Sequence, residues 1–375
     1  MQCIEGIHDQ VKELTVYQRT PNLATQRKIG HYTYSKESED EEKKRWPDFF
    51  AHCDRSSTGQ TTDWEDFDLQ DDQLRRDMLE QKWQEGNFWF GNHRALLNDE
   101  AYNREVYDFW RAKVAHRIKD PRKRELLAPE TPPHPFGAKR PSHETVYYDA
   151  FNQDNVNLVD LNTDEFLQVD ETGITNKQSG HKELDIIILA TGFDAIVGSI
   201  LNGIDIRGRN GATLYKKWNT RIRTNHGLSV AGFPNFFYIA GPQAPTVFGT
   251  TPRLSEIQAP FIAHIIRSAG SGGVIDPDEQ AEEDFDRECE RVCPKLMWQT
   301  RTWYMRRTDF GRGPVQPACW YGGMAEYRRL LQQSEDKGFE GFHISHKRTE
   351  VNGETDGYVN GVNGTHAVHG VEVGA

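Results

Sequence analysis

The sequence of 375 residues lacks a hydrophobic run of the length that a membrane helix requires. Its longest apolar stretch, at residues 186–190, falls far short of the roughly 18 residues that such a helix needs. The chain also lacks an opening basic segment followed by an apolar one, which is the pattern of a secretory signal. We therefore expect a cytoplasmic protein that has no membrane partner.

Cysteine is scarce, and positive charge is in deficit. The five cysteines are odd in number and scattered, which favours reduced thiols over a framework of disulfides. Cys289 and Cys293 lie four residues apart, but no second pair of cysteines or histidines is spaced to complete a zinc site, so we predict no metal. The 45 basic and 57 acidic residues give a net charge of −12, which disfavours nucleic acid as a partner.

The composition is that of a globular chain, with 36% hydrophobic and 27% charged residues and room for two or three cores. Its first apolar residues recur at steps of three and four, as on one face of a helix: Ile4, Ile7, Val11 and Leu14. A strand-like stretch, residues 15–18, follows and ends at Arg19 before Pro21. A helix that feeds a strand ending in arginine is typical of the second half of a dinucleotide-binding unit.

The glycine loop that opens such a unit, GxGxxG, is absent from the sequence. The nearest pattern, at residues 270–273, lacks the third glycine in register and follows a predicted helix, so we predict a turn there. Buried parallel strands are predicted at residues 183–190 and 236–240, because both contain apolar runs without alternation. Each ends near a glycine, Gly192 or Gly241, and ligands of open α/β sheets bind at the carboxyl ends of strands. A cofactor crevice is predicted at these strand ends.

The remaining patterns predict a helical stretch and shorter elements. Between His31 and Pro129 the charged and aromatic residues follow helical spacing, which indicates a helical subdomain. Short strands are predicted at residues 155–159 and 166–169. A later helix should be kinked or restarted at Pro260.

Several sequence blocks, in order along the chain, match a known family. They are residues 18–22 (QRTPN), 137–141 (GAKRP) and 190–195 (ATGFDA), with further matches at 109–113, 118–121, 206–211 and 228–235. On these blocks the chain resembles the Baeyer–Villiger monooxygenases, which are class B flavoprotein monooxygenases. The resemblance implies an α/β fold with two Rossmann-type domains, for FAD and NADP, both incomplete here, and an inserted helical subdomain.

The resemblance also implies a division of the chain into five segments. In order they are a remnant of the NADP-binding domain at 1–30, a helical insert at 31–130, the rest of the NADP-binding domain at 131–184, the C-terminal part of the FAD-binding domain at 185–345, and a disordered tail at 346–375. Thr191, Gly192 and Asp194 would lie where the chain passes from the NADP domain to the flavin domain. We interpret these three residues as structural and cofactor-adjacent rather than catalytic.

The activity that the resemblance implies uses FAD, NADPH and O2 to insert oxygen next to a small-molecule ketone, as in secondary-metabolite pathways. Arg19 and Thr20 would hold the 2′-phosphate of NADP, and Lys139 and Arg140 match a pair that also reaches NADP. Arg140 also matches the family's catalytic arginine, which would stabilise negative charge on the oxygenated flavin and on the substrate. Thr251 matches a residue that contacts the flavin ring.

Plainer roles stay open for each of these residues. Arg19 could make a surface ion pair, Lys139 and Arg140 could be solvated in a turn, and Thr251 could simply start a helix. Trp303 matches a family tryptophan near the nicotinamide, but a core or surface aromatic is as good an interpretation.

The family's glycine loops would precede Met1, and three interpretations of the chain follow. In the first, the chain is N-terminally truncated, or a partner chain supplies the missing region of a complete monooxygenase. In the second, it is a flavin-free homologue that acts as a non-oxidative enzyme, a binder or a partner of an intact oxygenase. In the third, it is an N- or S-hydroxylating flavoprotein, against which the blocks at 137–141 and 190–195 stand.

Overall fold

A computed structural model describes residues 1–27, 35–193, 195–246 and 249–345. The chain forms two compact units. Unit 1 comprises Met1–Ala195 and Cys293–Arg306, and unit 2 comprises Ile196–Val292 and the chain from Arg307 onward. The predicted tail and Asp194 lie outside the described residues. The five predicted segments stay a prediction.

Unit 1 combines helices with short strands. Its elements are α1 (Gln2–Ile7), β1 (Leu14–Gln18), β2 (Thr25–Gln26), α2 (Lys36–Arg55), α3 (Asp72–Glu85), α4 (Glu100–Ala115), α5 (Pro121–Leu127), β3 (His143–Glu144), α6 (Tyr147–Ala150), β4 (Val156–Asp160), β5 (Phe166–Val169), β6 (Gly173–Asn176) and β7 (Gly180–Glu183), with 3-10 helices at Arg94–Leu97 and Lys295–Gln299. No helix within the described segments of the chain is long and apolar enough to cross a membrane.

The strand before Arg19 is confirmed. β1 pairs in parallel with β4, from Leu14 opposite Val156 to Gln18 opposite Asp160. The predicted helix before it is shorter than expected, since α1 ends at Ile7. The reason is local: the side-chain amide of Asn155 donates to the carbonyl oxygens of His8 and Val11 at 2.8 and 3.0 Å, which holds a turn there.

The helical stretch is also confirmed, with four helices between residues 36 and 127. Its longest buried face belongs to α4, where Val106, Trp110 and Val114 are fully buried. The indole N–H of Trp110 donates to the carbonyl oxygen of Ala24 at 2.7 Å, which ties α4 to the segment after β1. This contact places the helical stretch beside the strand that carries Arg19.

The predicted buried strand at residues 183–190 does not form. Glu183 ends β7, residues 184–190 are not part of a strand, and the side chains of Ile186 and Leu189 are 78% and 81% exposed. A strand needs a neighbour for its backbone N–H and C=O groups, so apolar composition alone is not sufficient. Residues 184–190 directly follow β7, which is an outer strand of the antiparallel sheet β5-β6-β7.

The second predicted strand, at residues 236–240, is also wrong. Phe237 makes a single isolated bridge to Ser229, and Ala240 has a φ of +55°, which ends an extended path. The two strands that would frame the predicted crevice are therefore not found in the part of the chain that the structure describes.

Unit 2 is mostly helical. Its elements are α7 (Gly198–Leu201), α8 (Leu214–Thr220), α9 (Thr251–Ala269), β8 (Val274–Pro277), α10 (Glu279–Val292), β10 (Val315–Pro317), α11 (Met324–Asp336) and β11 (Phe342–Ser345), with 3-10 helices at Arg209–Gly211 and Asp309–Gly311; β9 (Met305–Arg307) carries the chain from unit 1 into unit 2. The turn predicted at 270–273 is present between α9 and β8.

The core of unit 2 lies between α9, α10 and α11, where Phe285 stacks on Trp320 with 5.6 Å between ring centroids. Contrary to expectation, Pro260 does not divide α9, which runs unbroken from Thr251 to Ala269. Pro260 and Glu256 both lie on the exposed side, so water can satisfy the carbonyl that the missing N–H leaves unbonded.

Candidate functional site

Arg19 directly follows β1, and hydrogen bonds hold the main chain at this position. The N–H of Leu161 donates to the carbonyl oxygen of Gln18 at 2.8 Å, and the side-chain amide of Asn162 donates to that of Arg19 at 2.6 Å. These bonds fix the main chain, while the side chains of Arg19 and Thr20 stay exposed. The strand thus presents a cation and a hydroxyl at its carboxyl end.

The loop that carries Lys139 and Arg140 is fixed by the helical stretch. The side chain of Asn103 donates to the carbonyl oxygen of Phe136 at 3.0 Å and accepts from its N–H at 2.9 Å. Gly137 has a φ of +81°, and a Cβ there would lie 2.7 Å from Nε1 of Trp89. Only glycine fits this turn, which precedes the partly buried Lys139 and the exposed Arg140.

Lys139 lies among other cations. Burial, followed by the positive charges of Arg19 and Arg301, lowers the pKa of its ammonium group below the usual value. Arg19, Lys139 and Arg301 form the cation cluster of unit 1. Among the described residues, no acid forms an ion pair with any of the three. Their positive charges are therefore not neutralised by a described carboxylate.

Arg140 has different neighbours. Its guanidinium carbon lies 5.8 Å from the ring centroid of Trp89 and 5.8 Å from that of Phe90. These two rings, the aromatic pair, contact each other with 4.2 Å between centroids and 34° between planes. Burial lowers the pKa of His143, and the charge of Arg140 lowers it further. Lys139 and Arg140 are adjacent in the chain, but Lys139 belongs to the cation cluster and Arg140 packs on the aromatic pair.

Arg301 is the residue that sequence reasoning missed. It follows a 3-10 helix, Lys295–Gln299, whose first N–H donates to the side-chain oxygen of Asn98 at 3.0 Å. This bond attaches the segment 293–306 to the helical stretch that also holds Phe136. No motif links residues 301 and 139, and the only signal was the neighbouring Trp303, which is half-exposed.

The other predicted site residues are not brought into the cluster. Thr251 is the exposed first residue of α9 and belongs to unit 2. Thr191 and Gly192 are exposed, and Gly192 has a φ of +85°. The roles of Arg19, Thr20, Lys139, Arg140 and Thr251 stay predictions.

Comparison with known proteins supplies the family, although no family model matches. The cyclopentanone 1,2-monooxygenase of Comamonas sp. (strain NCIMB 9872) is 35% identical over 341 residues, or 89% of this chain and 61% of that protein. The FAD-binding monooxygenase VdtE of Byssochlamys spectabilis is 31% identical over 361 residues, or 92% of this chain and 62% of that protein.

The solved structures that match this chain include monooxygenases. OTEMO in complex with FAD and NADP matches with a TM-score of 0.83 at 30% identity, over 92% of this chain and 64% of that one. The chain belongs to the Baeyer–Villiger-type FAD-binding monooxygenases. Oxidized steroid monooxygenase bound to NADP matches with a TM-score of 0.81 at 31% identity, with the same coverage.

Membership in this monooxygenase family confirms the predicted resemblance and the α/β class with Rossmann-type domains for FAD and NADP. The chain spans about three fifths of the length of the curated relatives that it matches. No described acid forms an ion pair with the partly buried Lys139 or with the exposed Arg19, Arg301 and Arg140.

Proposed function

We propose that this chain serves in FAD- and NADPH-dependent oxygenation of Baeyer–Villiger type. In that reaction one atom of O2 is inserted next to the carbonyl carbon of a small-molecule ketone, which gives an ester or a lactone. The observation that carries the proposal is the cation cluster of Arg19, Lys139 and Arg301, which has no acidic partner among the described residues.

The cation cluster fits the 2′-phosphate of NADP. That phosphate is a dianion at the end of the adenosine, and an arginine after the second strand is where it is bound in dinucleotide-binding folds. The planar fork of Arg19 can donate two parallel hydrogen bonds, and the hydroxyl of Thr20 lies next to it in the chain. Lys139 and Arg301 would neutralise the remaining charge.

Arg140 would act on the reaction itself. When bound, the flavin and the nicotinamide supply the electrons that activate O2. The contribution of Arg140 is a positive charge that persists at working pH, set beside the place where negative charge develops. Its exposure and its contact with the aromatic faces leave its N–H donors available for that role.

The fit to the flavin is weaker. The sequence contains no GxGxxG loop that could cradle a pyrophosphate, and the predicted flavin contact, Thr251, starts a helix in unit 2. We therefore derive no step from flavin-binding residues of this chain. A partner chain that supplies the cradle, and a cytoplasmic location, remain part of the proposal.

The substrate class follows from the relatives. Two of them are named for cyclopentanone and acetone, both small ketones. We propose a ketone for this chain as well, and a cyclic polyketide or terpenoid ketone of a secondary-metabolite pathway as its natural form.

Flavin retention tests the proposal most simply. The purified chain is incubated with excess FAD and desalted, and its visible spectrum is recorded. Flavin absorbance close to one equivalent would show that this chain holds FAD by itself and would support the proposal. A folded but colourless protein would contradict flavin binding by this chain alone, and would favour the flavin-free homologue as the second candidate unless a partner chain restores the absorbance.

Arg140→Ala tests the chemical role. If the unmodified chain forms lactone from cyclopentanone with FAD and NADPH, we expect the variant to form none while it continues to oxidise NADPH, because cofactor binding by the cation cluster is intact. Lactone is measured by gas chromatography and NADPH by its absorbance. Undiminished lactone formation in the variant would refute the role.

A further inference from the structure

The side chain of Arg140 must be held in one position by contacts with its neighbours if it is to act at a defined place. It is exposed, and a free arginine side chain carries about 2 kcal/mol of rotamer entropy. No described acid forms an ion pair with Arg140, and its guanidinium lies over the rings of the aromatic pair, Trp89 and Phe90. Without these rings its charge would be spread over many positions.

We propose that Trp89 and Phe90 are positioning residues for Arg140. Their faces hold the guanidinium where a reacting group can meet it, apart from the cation cluster. The inference rests on the proposed role of Arg140 and names the residues that make that role possible.

Two contacts join the loop of residues 137–140 to the same indole. At its start, the backbone of Gly137 lies so close to Trp89 that a Cβ would be 2.7 Å from Nε1 and 3.0 Å from Cδ1. At its end, the guanidinium of Arg140 lies over the same ring system. Trp89 is 5% exposed, so it offers the loop a fixed surface. The position of Arg140 is thereby tied to the helical stretch.

The chemistry of the pair suits arginine and not lysine. A guanidinium is planar and weakly hydrated, so it can rest on an aromatic face and keep its N–H donors directed outward. An ammonium group is a compact, strongly hydrated point charge. Lys139, one residue earlier, accordingly has no ring contact among the described residues and lies with the other cations.

The direct test is the nuclear magnetic resonance of arginine side chains in the full-length chain. Protein labelled with ¹⁵N and ¹³C arginine is recorded, and Arg140→Lys identifies the Arg140 signals. We expect these signals to carry an upfield ring-current shift that Phe90→Leu reduces, Trp89→Leu abolishes and Trp89→Phe largely restores. The Arg140 signals would stay in place in every variant if the pair had no part in holding it, and that result overturns the proposal.

Phe109→Leu is the matched control. Phe109 carries the ring of another cation contact, 5.1 Å from the ammonium group of Lys113, and stacks on Phe88 at 5.4 Å. Its loss removes an aromatic ring of the same helical stretch without touching Arg140. We expect the Arg140 signals to be unchanged in this variant. A shift as large as that of Phe90→Leu would mean that general loosening moves Arg140, and the proposal would fail.

A functional arm separates positioning from folding. For Phe90→Leu we expect the lactone formed per NADPH oxidised to fall about two- to fivefold, the range of an exposed cation–π contact, with unchanged affinity for adenosine 2′,5′-bisphosphate. Equal loss of affinity and of product would contradict a positioning role. If the unmodified chain forms no lactone, the proposed oxygenation fails, while the resonance experiment still decides whether the rings hold Arg140.

Discussion

Two groups of cations, one in each unit, have opposite surroundings. In unit 2, the ammonium group of Lys217 lies 2.8 Å from a carboxylate oxygen of Glu282, and Arg221 lies 2.7 Å from Asp286. In unit 1, the cation cluster meets no such partner among the described residues. The same residue types are therefore paired with buried acids around α10 and unpaired in the cation cluster.

Burial explains the difference. Glu282 and Asp286 are 2% and 3% exposed, and burial raises the pKa of both carboxyl groups, that of Glu282 to about 7. Their cations and the N–H of Ala231, 2.6 Å from Glu282, offset part of the cost of that burial. The cluster instead brings like charges together, which is unfavourable until an anion arrives. We therefore propose that ion pairing separates a structural cation from one that binds a ligand.

The largest expected effect is on the free energy of unfolding, at the ion pair between Lys217 and Glu282. Glu282→Ala should lower the free energy of unfolding by about 3–5 kcal/mol, because it leaves the partly buried Lys217 and the N–H of Ala231 without their carboxylate. Urea denaturation measures the change. The control is Glu283→Ala, whose pair with Arg223 is more than one third exposed and should cost about 1 kcal/mol or less. Equal losses in the two variants would contradict the distinction.

Arg19→Gln should have the next largest effect, and on binding rather than stability. The affinity for adenosine 2′,5′-bisphosphate should fall about tenfold to a hundredfold, because a hydrogen bond to a charged group is worth about 1.5–3 kcal/mol. The free energy of unfolding should not fall, since no acid loses its partner. Titration calorimetry measures the affinity, and Lys12→Gln, an exposed cation before β1, is the control. A loss of stability without a loss of affinity would make Arg19 a structural cation.

The smallest expected effect is the pH dependence of the cluster. A bound phosphate dianion favours the charged form of Lys139, so binding raises the pKa that burial, Arg19 and Arg301 lower in the free protein. Affinity for the bisphosphate should therefore fall, by about fivefold or less, as the pH rises through that lowered pKa.

Arg19→Gln sharpens this test because it removes one of the charges that lower the pKa of Lys139. The fall in affinity should then move to higher pH. Calorimetry over a series of pH values, in two buffers that differ in ionisation enthalpy, reports both the affinity and the protons taken up. A fall at the same pH in both proteins would mean that Lys139 does not titrate within the cluster.

Local patterns predicted the parts of the fold that depend on local chemistry. The strand ending at Arg19 was predictable because its β-rich stretch has a partner at residues 156–160 within the chain. Residues 186–190 have the same kind of composition, but no described strand pairs with them, and they lie exposed. Sequence patterning reports the capacity of a segment to pair and cannot report whether a neighbour is present.

The site was predictable only in part for a similar reason. Arg19, Lys139 and Arg140 stand in contiguous blocks that match the family. Arg301 is 162 positions from Lys139 and was found only through the folded structure. The aromatic pair was equally hidden, because Trp89 and Phe90 resemble any other core residues of a helical stretch until their distance to Arg140 is known.

The most direct test of the central claim compares two ligands that differ by one phosphate. Adenosine 2′,5′-bisphosphate and 5′-AMP are titrated into the purified chain under the same salt and pH. If the cation cluster is a 2′-phosphate site, the bisphosphate should bind at least about tenfold more tightly, because it alone carries the charge that the three cations lack. Equal affinities for the two ligands would contradict the claim and return Arg19, Lys139 and Arg301 to the class of solvated surface cations.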